Sequence, residues 1–230
     1  GRVGLGRVSG SDVVLEPTVV RLPPRVRVVD EVVQLVPAKA VAVACGPKHT
    51  LVLTSHGEVY GFGANASGEL GFEGVAVEPS PRLMPHVVPP STGARSTASS
   101  TVVDLAAGNG FSVLMTRAGD AYVVGGGLDG IASTEPRLIP FAATCDRRPG
   151  ERITRVVAGF HHVSGVTSHG RYLSMGNNDS SQLGRGQAGE YAGAWDVVDV
   201  GSAAAAPAAR AVDVSAGLAH SLFLMSDGSV

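Results

Sequence analysis

A glycine-marked pattern recurs four times along this chain and limits the folds that the chain can adopt. Taking Gly46 as the anchor of the pattern, the same arrangement restarts at Gly108, Gly159 and Gly217. A second glycine follows each anchor after eleven residues, at Gly57, Gly119, Gly170 and Gly228, and a third follows the first three anchors at Gly63, Gly125 and Gly176. Units of about fifty residues that repeat in this way are typical of propellers and solenoids. The sequence therefore predicts a repeat protein.

The residues around each anchor alternate in a way that is typical of β-strands. The third residue before the anchor is apolar in every unit (Val43, Leu105, Val156 and Val214), and the residue before it is mostly polar. Such alternation predicts a half-buried strand. Apolar runs such as Leu51–Leu53 follow the anchor and predict an inner strand buried on both faces. The glycine at the next turn supplies the positive φ that a tight hairpin needs.

Four-stranded blades around an axis suit such units, so the predicted fold is an all-β propeller. We expect a unit end at 1–20, units at 40–85, 102–140 and 153–185, a truncated unit at 211–230, and surface-loop spacers at 86–101 and 186–210. Propellers commonly use about 4–8 blades, and this chain supplies about four. We therefore predict a partial propeller, an excerpt of a larger protein whose remaining blades complete the ring.

Composition excludes several kinds of partner. The formal net charge of −2 provides no global attraction for nucleic acid or for an acidic membrane surface. No apolar run approaches the roughly 18 residues that would span a bilayer. Two cysteines are too few for a disulfide framework. Neither nucleic acid nor a membrane is therefore predicted as a partner.

Each motif that could indicate catalysis or ligand binding is better explained by a role in building the fold. Adjacent strand residues such as His161 and His162 point to opposite faces, and no carboxylate or thiolate stands at ligand spacing, so no metal site is predicted. The Gly125–Gly127 run follows a strand but precedes no helical pattern, which argues against a phosphate-binding loop. No serine, histidine and acid set stands out. The sequence predicts no catalytic residue, no metal and no cofactor, and so a protein that is not an enzyme.

The motifs themselves resemble the regulator of chromosome condensation repeat family. The resemblance lies in Gly46-Pro-Lys-His49, Gly57-Glu-Val-Tyr60, Gly63-Ala-Asn65, Gly68-Glu-Leu-Gly71, Gly159-Phe-His-His162, Gly170-Arg-Tyr-Leu173, Gly176-Asn-Asn178, Gln182-Leu-Gly184, Gly217-Leu-Ala-His220 and Asp227-Gly228. Phe111 stands where the other units carry histidine, Ser181 replaces a glycine, and Phe62, Val124 and Met175 replace the usual tryptophan. The resemblance implies a seven-bladed β-propeller of which this chain is a divergent, partial member.

Most of the motif residues are expected to build the scaffold. These structural positions are Gly46, His49, Gly57, Gly63, Gly68, Gly71, Gly108, Gly119, Gly159, His162, Gly170, Gly176, Gly184, Gly217, His220 and Gly228. A histidine three residues after the anchor can present both ring nitrogens to backbone groups and so fix adjacent loops. Asparagine at positions such as Asn65 suits a loop that must bend locally.

Partner-binding residues are sought in the loops of the propeller faces, where functional side chains concentrate. The candidates are Arg147, Arg148 and Arg152 in one loop, Asn178 and Asp179 in another, and Trp195 in the longest spacer. Arginine and tryptophan are typical interface anchors. The alternatives are a solvated loop for the arginines and a tryptophan tucked against a blade edge.

What the resemblance implies about function is a protein interaction scaffold, because members of the family serve in ubiquitin-ligase, kinase, ciliary and cytoskeletal proteins. The expected partners are proteins that bind the loops of the propeller faces, together with the remaining blades of the same chain. The alternative, from a different class, is guanine-nucleotide exchange on a small GTPase. We expect the protein in the cytoplasm, with a cytoskeletal or ciliary location among the options and the nucleus as the alternative.

Overall fold

The structure, a computed structural model, describes residues 18–29, 32–85, 100–128, 133–145, 148–186, 188–189, 191–198 and 210–230. Within these ranges the chain forms strands and contains no α-helix. The strands are β1 (Arg25–Val29), β2 (Val32–Val36), β3 (Ala40–Cys45), β4 (His49–Thr54), β5 (Val59–Ala64), β6 (Val77–Leu83), β7 (Val102–Ala107), β8 (Ser112–Thr116), β9 (Ala121–Val124), β10 (Arg137–Leu138), β11 (Ile153–Ala158), β12 (His162–Thr167), β13 (Tyr172–Gly176), β14 (Ala192–Val197), β15 (Ala211–Ala216) and β16 (Ser221–Met225). No helix in these ranges is long and apolar enough to cross a membrane.

Three four-stranded antiparallel sheets and two hairpins make up the described fold. Each four-stranded sheet keeps its strands in chain order, and we name them blade 1 (β3–β6), blade 2 (β7–β10) and blade 3 (β11–β14). The hairpin β15–β16 repeats the first two strands of a blade and is called blade 4. The hairpin β1–β2 belongs to none of these sheets. The predicted all-β fold with four-stranded blades is confirmed.

The first strand of each blade matches the alternating segment that precedes each anchor glycine. The structure places these strands at Ala40–Cys45, Val102–Ala107, Ile153–Ala158 and Ala211–Ala216. The second strand is wholly buried in blades 2 and 3. In blade 4 it alternates between exposed and half-buried residues, so the prediction of burial on both faces is wrong there. The reason is that Phe223 and Met225 face the cluster shared with blade 3, whereas Leu222 and Leu224 lie on the opposite face, which no further blade covers in the described structure.

The spacer predicted at 186–210 is not purely a surface loop. It contains β14, the fourth strand of blade 3, which pairs with β13. The strand was missed because its side chains are exposed or half-buried, with the single exception of Trp195, and therefore show no apolar alternation in sequence. Of the spacer predicted at 86–101, all but Ser100 and Thr101 lies outside the described residues, as does most of the unit end at 1–20.

The anchor glycines explain why the first strands of neighbouring blades can lie side by side. A Cβ atom added at Gly46 would lie 2.7 Å from the carbonyl oxygen of Gly108. The same atom at Gly108 would lie 2.9 Å from the Gly159 oxygen, and at Gly159 it would lie 2.6 Å from the Gly217 oxygen. None of these glycines has a positive φ. Glycine is needed here because each backbone approaches the next one closely.

The apolar core lies between blades. One buried cluster joins blades 2 and 3 around Phe111 and Trp195, a second joins blades 1 and 2 around Leu51 and Leu105, and a third joins blades 3 and 4 around Tyr172. Each blade therefore depends on its neighbours to bury its faces, as expected for a repeat protein.

The close approach of the anchors is tested by Gly159→Ala. The added methyl group would meet the Gly217 carbonyl and the His162 ring, so we expect a loss of about 1–3 kcal/mol in the free energy of unfolding, the usual cost of overpacking. Gly193→Ala is the matched control, because a Cβ there meets only the Tyr191 side chain at 3.6 Å. Chemical denaturation of both variants measures the difference. Equal stabilities would contradict the steric explanation.

Candidate protein interaction surface

A histidine of one blade and a serine of the next form a polar contact that joins blades 1 and 2. The Nε2 atom of His49 lies 3.0 Å from the hydroxyl oxygen of Ser112. That hydroxyl donates to the carbonyl oxygen of Glu69, in blade 1, over 2.6 Å. Since a serine has one proton to donate, His49 must donate from Nε2 and is the neutral Nε2–H tautomer. We call this arrangement the His–Ser latch.

The same latch joins blades 3 and 4. The Nε2 atom of His162 lies 3.0 Å from the Ser221 hydroxyl, which donates to the Gln182 carbonyl oxygen over 2.9 Å. Both histidines are fully buried, with 1% and 0% of their surface exposed for His49 and His162. The expectation that both ring nitrogens bind backbone groups is wrong for these two histidines. Their Nε2 atoms bind serine, and their buried Nδ1 atoms have no hydrogen-bond partner within the described structure.

Between blades 2 and 3 an apolar pair takes the place of the latch. Phe111 occupies the histidine position of blade 2, and Val163 occupies the serine position of blade 3. Both side chains are fully buried and belong to the same apolar cluster. A histidine facing valine would leave its buried Nε2–H without an acceptor, and a serine facing phenylalanine would lose the donor to its hydroxyl oxygen. Phe111 thus replaces the histidine of blade 2, and Val163 replaces the matching serine of blade 3.

The two asparagines of the loop after the third strand fold that loop. Asn65 donates from Nδ2 to the carbonyl oxygens of Phe72 and Val75 and accepts from the Leu70 N–H. Asn178 accepts from the Leu183 N–H in the same way and is buried. The candidate Asn178 therefore has a structural position that leaves it inaccessible to a partner.

The neighbouring candidate, Asp179, remains exposed on the same loop. Its carboxylate accepts from Asn177 over 2.8 Å, and its own N–H donates to Asn177. Ser181, which stands where blade 1 has Gly68, keeps the left-handed conformation with a φ of 60°. The loop of blade 3 thus retains the shape of its glycine-containing counterpart, and Asp179 is the accessible member of the predicted pair.

The predicted arginine loop is built around a buried carboxylate. Glu151 is 3% exposed and binds the guanidinium of Arg171 through both carboxylate oxygens. It also accepts from the Thr167 hydroxyl over 2.6 Å and from the Arg148 N–H over 3.1 Å. Burial opposes ionisation, but these donors outweigh it and lower the pKa of Glu151 to about 2.

The loop leaves its arginine side chains in solvent. Arg148 and Arg152 are exposed, whereas Arg147 lies outside the described residues. The backbone of Arg152 accepts from the Ser168 N–H over 2.8 Å, which fixes the position of the residue on the hairpin-turn face of blade 3. Sequence reasoning missed Glu151 and Arg171 because a single glutamate twenty residues from its partner gives no local signal.

Trp195 is not available to a partner. It is 0% exposed and belongs to the cluster between blades 2 and 3. Its backbone N–H donates to the Pro140 carbonyl oxygen over 2.8 Å, and its own carbonyl accepts from Ala142 over 2.7 Å. The alternative, a tryptophan packed against a blade, is the arrangement that the structure shows.

The profile of the regulator of chromosome condensation (RCC1) repeat matches residues 56–115, and a second profile of the same repeat matches residues 40–69. These residues hold the anchor glycines of blades 1 and 2, together with the latch histidine and the loop asparagine of blade 1. The chain carries RCC1 repeats. They form a divergent and partial set, with Phe111 and Ser181 among the departures.

Relatives with RCC1 repeats align over most of this chain. The human E3 ubiquitin-protein ligase HERC2 is 33% identical over 191 residues, which is 81% of this chain and 3% of the ligase. The Arabidopsis thaliana ultraviolet-B receptor UVR8 is 27% identical over 82% of this chain and 39% of its own length. The mouse secretion-regulating guanine nucleotide exchange factor is 29% identical over 70% of this chain and 35% of its own. The chain thus spans well under half the length of these relatives.

A solved propeller has the same fold. The structure of Prp20p from Saccharomyces cerevisiae, described with its binding to Gsp1p and histones, superposes with a TM-score of 0.61 at 19% identity and covers 80% of this chain and 43% of its own. In the RCC1 repeats of this chain, the buried motif residues hold the blades together, and the side chains exposed to solvent vary from blade to blade. The described residues contain no group of three or more His, Cys, Asp or Glu side chains that could hold a metal.

A double-mutant cycle tests the latch against the apolar pair. We expect His162→Phe to cost about 0.5–1.5 kcal/mol in unfolding free energy, because it removes the hydrogen bond to Ser221 while that hydroxyl keeps its Gln182 partner, and Ser221→Val to cost about 1–3 kcal/mol, because it leaves the buried Nε2–H of His162 without an acceptor. The double variant copies Phe111 and Val163, so its cost should fall short of the sum by about 1 kcal/mol. Urea denaturation of the four proteins gives the coupling energy. Additive costs would show that the two side chains do not depend on each other.

Acid should weaken the latch. Burial lowers the pKa of both His49 and His162 from 6.5 to about 4. Between these values the unfolded chain binds protons that the folded chain does not, so stability falls as the pH drops from about 6.5 towards 4. Unfolding free energies across this range measure the loss. The double variant His162→Phe with Ser221→Val should have a shallower slope, and an unchanged slope would assign the acid sensitivity to other groups.

Proposed function

We propose that this chain is a non-enzymatic protein interaction scaffold built on RCC1 repeats. The observation that carries the proposal is how the polar side chains of the repeat motif are used. His49, Asn65 and Asn178 are buried, and each is engaged in holding a blade or a blade junction together. The side chains of the exposed loops are not needed for these contacts, and they differ from blade to blade. Such a surface suits binding rather than catalysis.

The assembly is of the kind found in ubiquitin-ligase, cytoskeletal or ciliary proteins. The similarity to HERC2 over most of this chain supports the ligase option. The cytoplasm is the compartment that we propose, with the nucleus as the alternative.

Guanine-nucleotide exchange on a small GTPase is the second candidate. The 29% identity to the secretion-regulating exchange factor and the fold shared with Prp20p, whose binding to Gsp1p is described, support it. Exchange requires loops that insert into a nucleotide site, and no residue of this chain has been assigned that role. For this reason we place it second.

Affinity capture of the full-length protein tests the two candidates. Bound proteins are identified by mass spectrometry for the wild type and for two single variants, Arg148→Glu and Asp179→Arg. Arg148 lies in the connection that leads into blade 3, and Asp179 lies in the loop after its third strand, at the opposite ends of the blade. We expect a scaffold partner to be lost with one variant and retained with the other.

Each outcome of the capture points to one candidate. Ligase, cytoskeletal or ciliary components recovered without a GTPase would support the scaffold. A small GTPase that is released by free nucleotide, and whose bound fluorescent GDP the protein displaces, would move exchange to first place. Recovery of no specific protein by the wild type would overturn the scaffold proposal.

A further inference from the structure

The hairpin turn between the second and third strands of each blade bonds to the residue that precedes the first strand of the same blade. The N–H of Ser55 donates to Lys39, that of Arg117 to Thr101, that of Ser168 to Arg152 and that of Ser226 to Arg210, over 2.8–2.9 Å. The two residues of each pair therefore lie together on one face of the propeller. We call this face the turn face.

Every one of these pairs combines a basic residue with a hydroxyl residue. In blades 1, 3 and 4 the basic member precedes the first strand, whereas in blade 2 the roles are reversed and Arg117 is in the turn. As a result each blade places one cationic side chain on the turn face, at one or the other member of this pair. All four are exposed, and we call them the basic arc: Lys39, Arg117, Arg152 and Arg210.

Direct contacts between blades make the arc continuous. The turn glycine of each blade touches the residue before the first strand of the next blade. A Cβ atom at Gly57 would lie 2.4 Å from the Thr101 side chain, and at Gly119 it would lie 2.2 Å from the Cβ of Arg152. At Gly170 it would lie 2.6 Å from the Cβ of Arg210. The four cations thus follow one path along the turn face, from blade to adjacent blade.

The acidic side chains of the turn face do not neutralise the arc. Glu58 pairs with Arg25 over 2.9 Å, and Glu151 is buried against Arg171. Asp227 accepts from the neutral Ser229 hydroxyl and remains one exposed negative charge in the turn of blade 4. Asp120 is half-buried. Among the described residues, no member of the arc forms an ion pair with a carboxylate. The arc is therefore a local excess of positive charge on a chain whose formal net charge is −2.

We propose that the basic arc binds an acidic segment of a partner protein. Three of its four members are arginine, whose planar guanidinium matches a carboxylate through two parallel hydrogen bonds. The hydroxyl residue beside each cation offers a further donor. A nucleic acid or a lipid surface is less suited, because affinity for phosphates grows with the number of charges neutralised, and the arc offers four cations on a chain of negative net charge. The inference rests on the proposed scaffold function and adds the surface and the partner chemistry.

Fluorescence anisotropy with a labelled peptide of alternating glutamate and glycine tests the arc in the full-length protein. We expect saturable binding that weakens with salt, and a loss of about tenfold in affinity for each of Lys39→Glu, Arg152→Glu and Arg210→Glu. Lys48→Glu is the matched control. It makes the same charge change at the only other lysine, which is exposed in the anchor loop away from the turn face, and it should change affinity by less than about twofold. Circular dichroism confirms that each variant is folded.

Three outcomes would overturn the proposal. The first is no binding of the peptide by the wild type. The second is an equal loss with Lys48→Glu, which would mean that net charge alone attracts the peptide. The third is tighter binding of an oligothymidylate of the same charge, or of phosphatidylserine vesicles, than of the peptide. None of these results touches the scaffold function, because the affinity capture reports partners bound by any surface.

Discussion

The contact on which the rest of the structure depends is the one between an anchor glycine and the carbonyl oxygen of the next anchor. It brings four successive backbones within a distance that no side chain allows. Once the first strands lie side by side, the faces of adjacent blades are close enough to bury their apolar residues against one another. The aromatic ring three residues after each anchor then covers the glycine, as Phe111 covers Gly108 and His162 covers Gly159. Packing and polar contacts both follow from this one steric condition.

Buried polar groups supply specificity within that frame. A neutral histidine donates from Nε2 to a serine, and the serine donates in turn to a backbone carbonyl, so both protons are bonded in a fixed geometry. Glu151 and Arg171 do the same for the connection that leads into blade 3. These contacts hold the polar side chains of the motif inside the fold, and they leave the basic arc and the variable loop side chains exposed. The division separates the part of the repeat that folds from the part that can recognise a partner.

Much of the fold could be predicted from the sequence, because glycine and alternation act locally. The first strands and the hairpin turns follow from residues within a few positions of each anchor, such as Gly57 with its φ of 78°. The strand that holds Trp195 could not be predicted, since its contacts with Pro140 and Ala142 come from the preceding blade. Each latch joins residues about sixty positions apart. The only sign of this pairing in the sequence is that Phe111 replaces a histidine where Val163 replaces the matching serine. Of the candidate binding residues, burial removes Asn178 and Trp195, which sequence composition cannot reveal.

The substitution of Phe111 and Val163 for a latch has a consequence for how the ring is assembled. Ser112 of blade 2 contacts the histidine of blade 1, whereas the histidine position of blade 2 is a phenylalanine that meets a valine of blade 3. At the next junction, the histidine of blade 3 contacts the serine of blade 4. Blades 2 and 3 are therefore asymmetric, each with a polar residue at one junction and an apolar residue at the other. Docking blade 1 on blade 3 would place His49 on Val163, and docking blade 2 on blade 4 would place Phe111 on Ser221, so each arrangement loses the matching contact. The side chains thus favour the junctions made by the covalent chain over junctions that omit a blade, and this guards a repetitive sequence against that kind of mispairing while it folds.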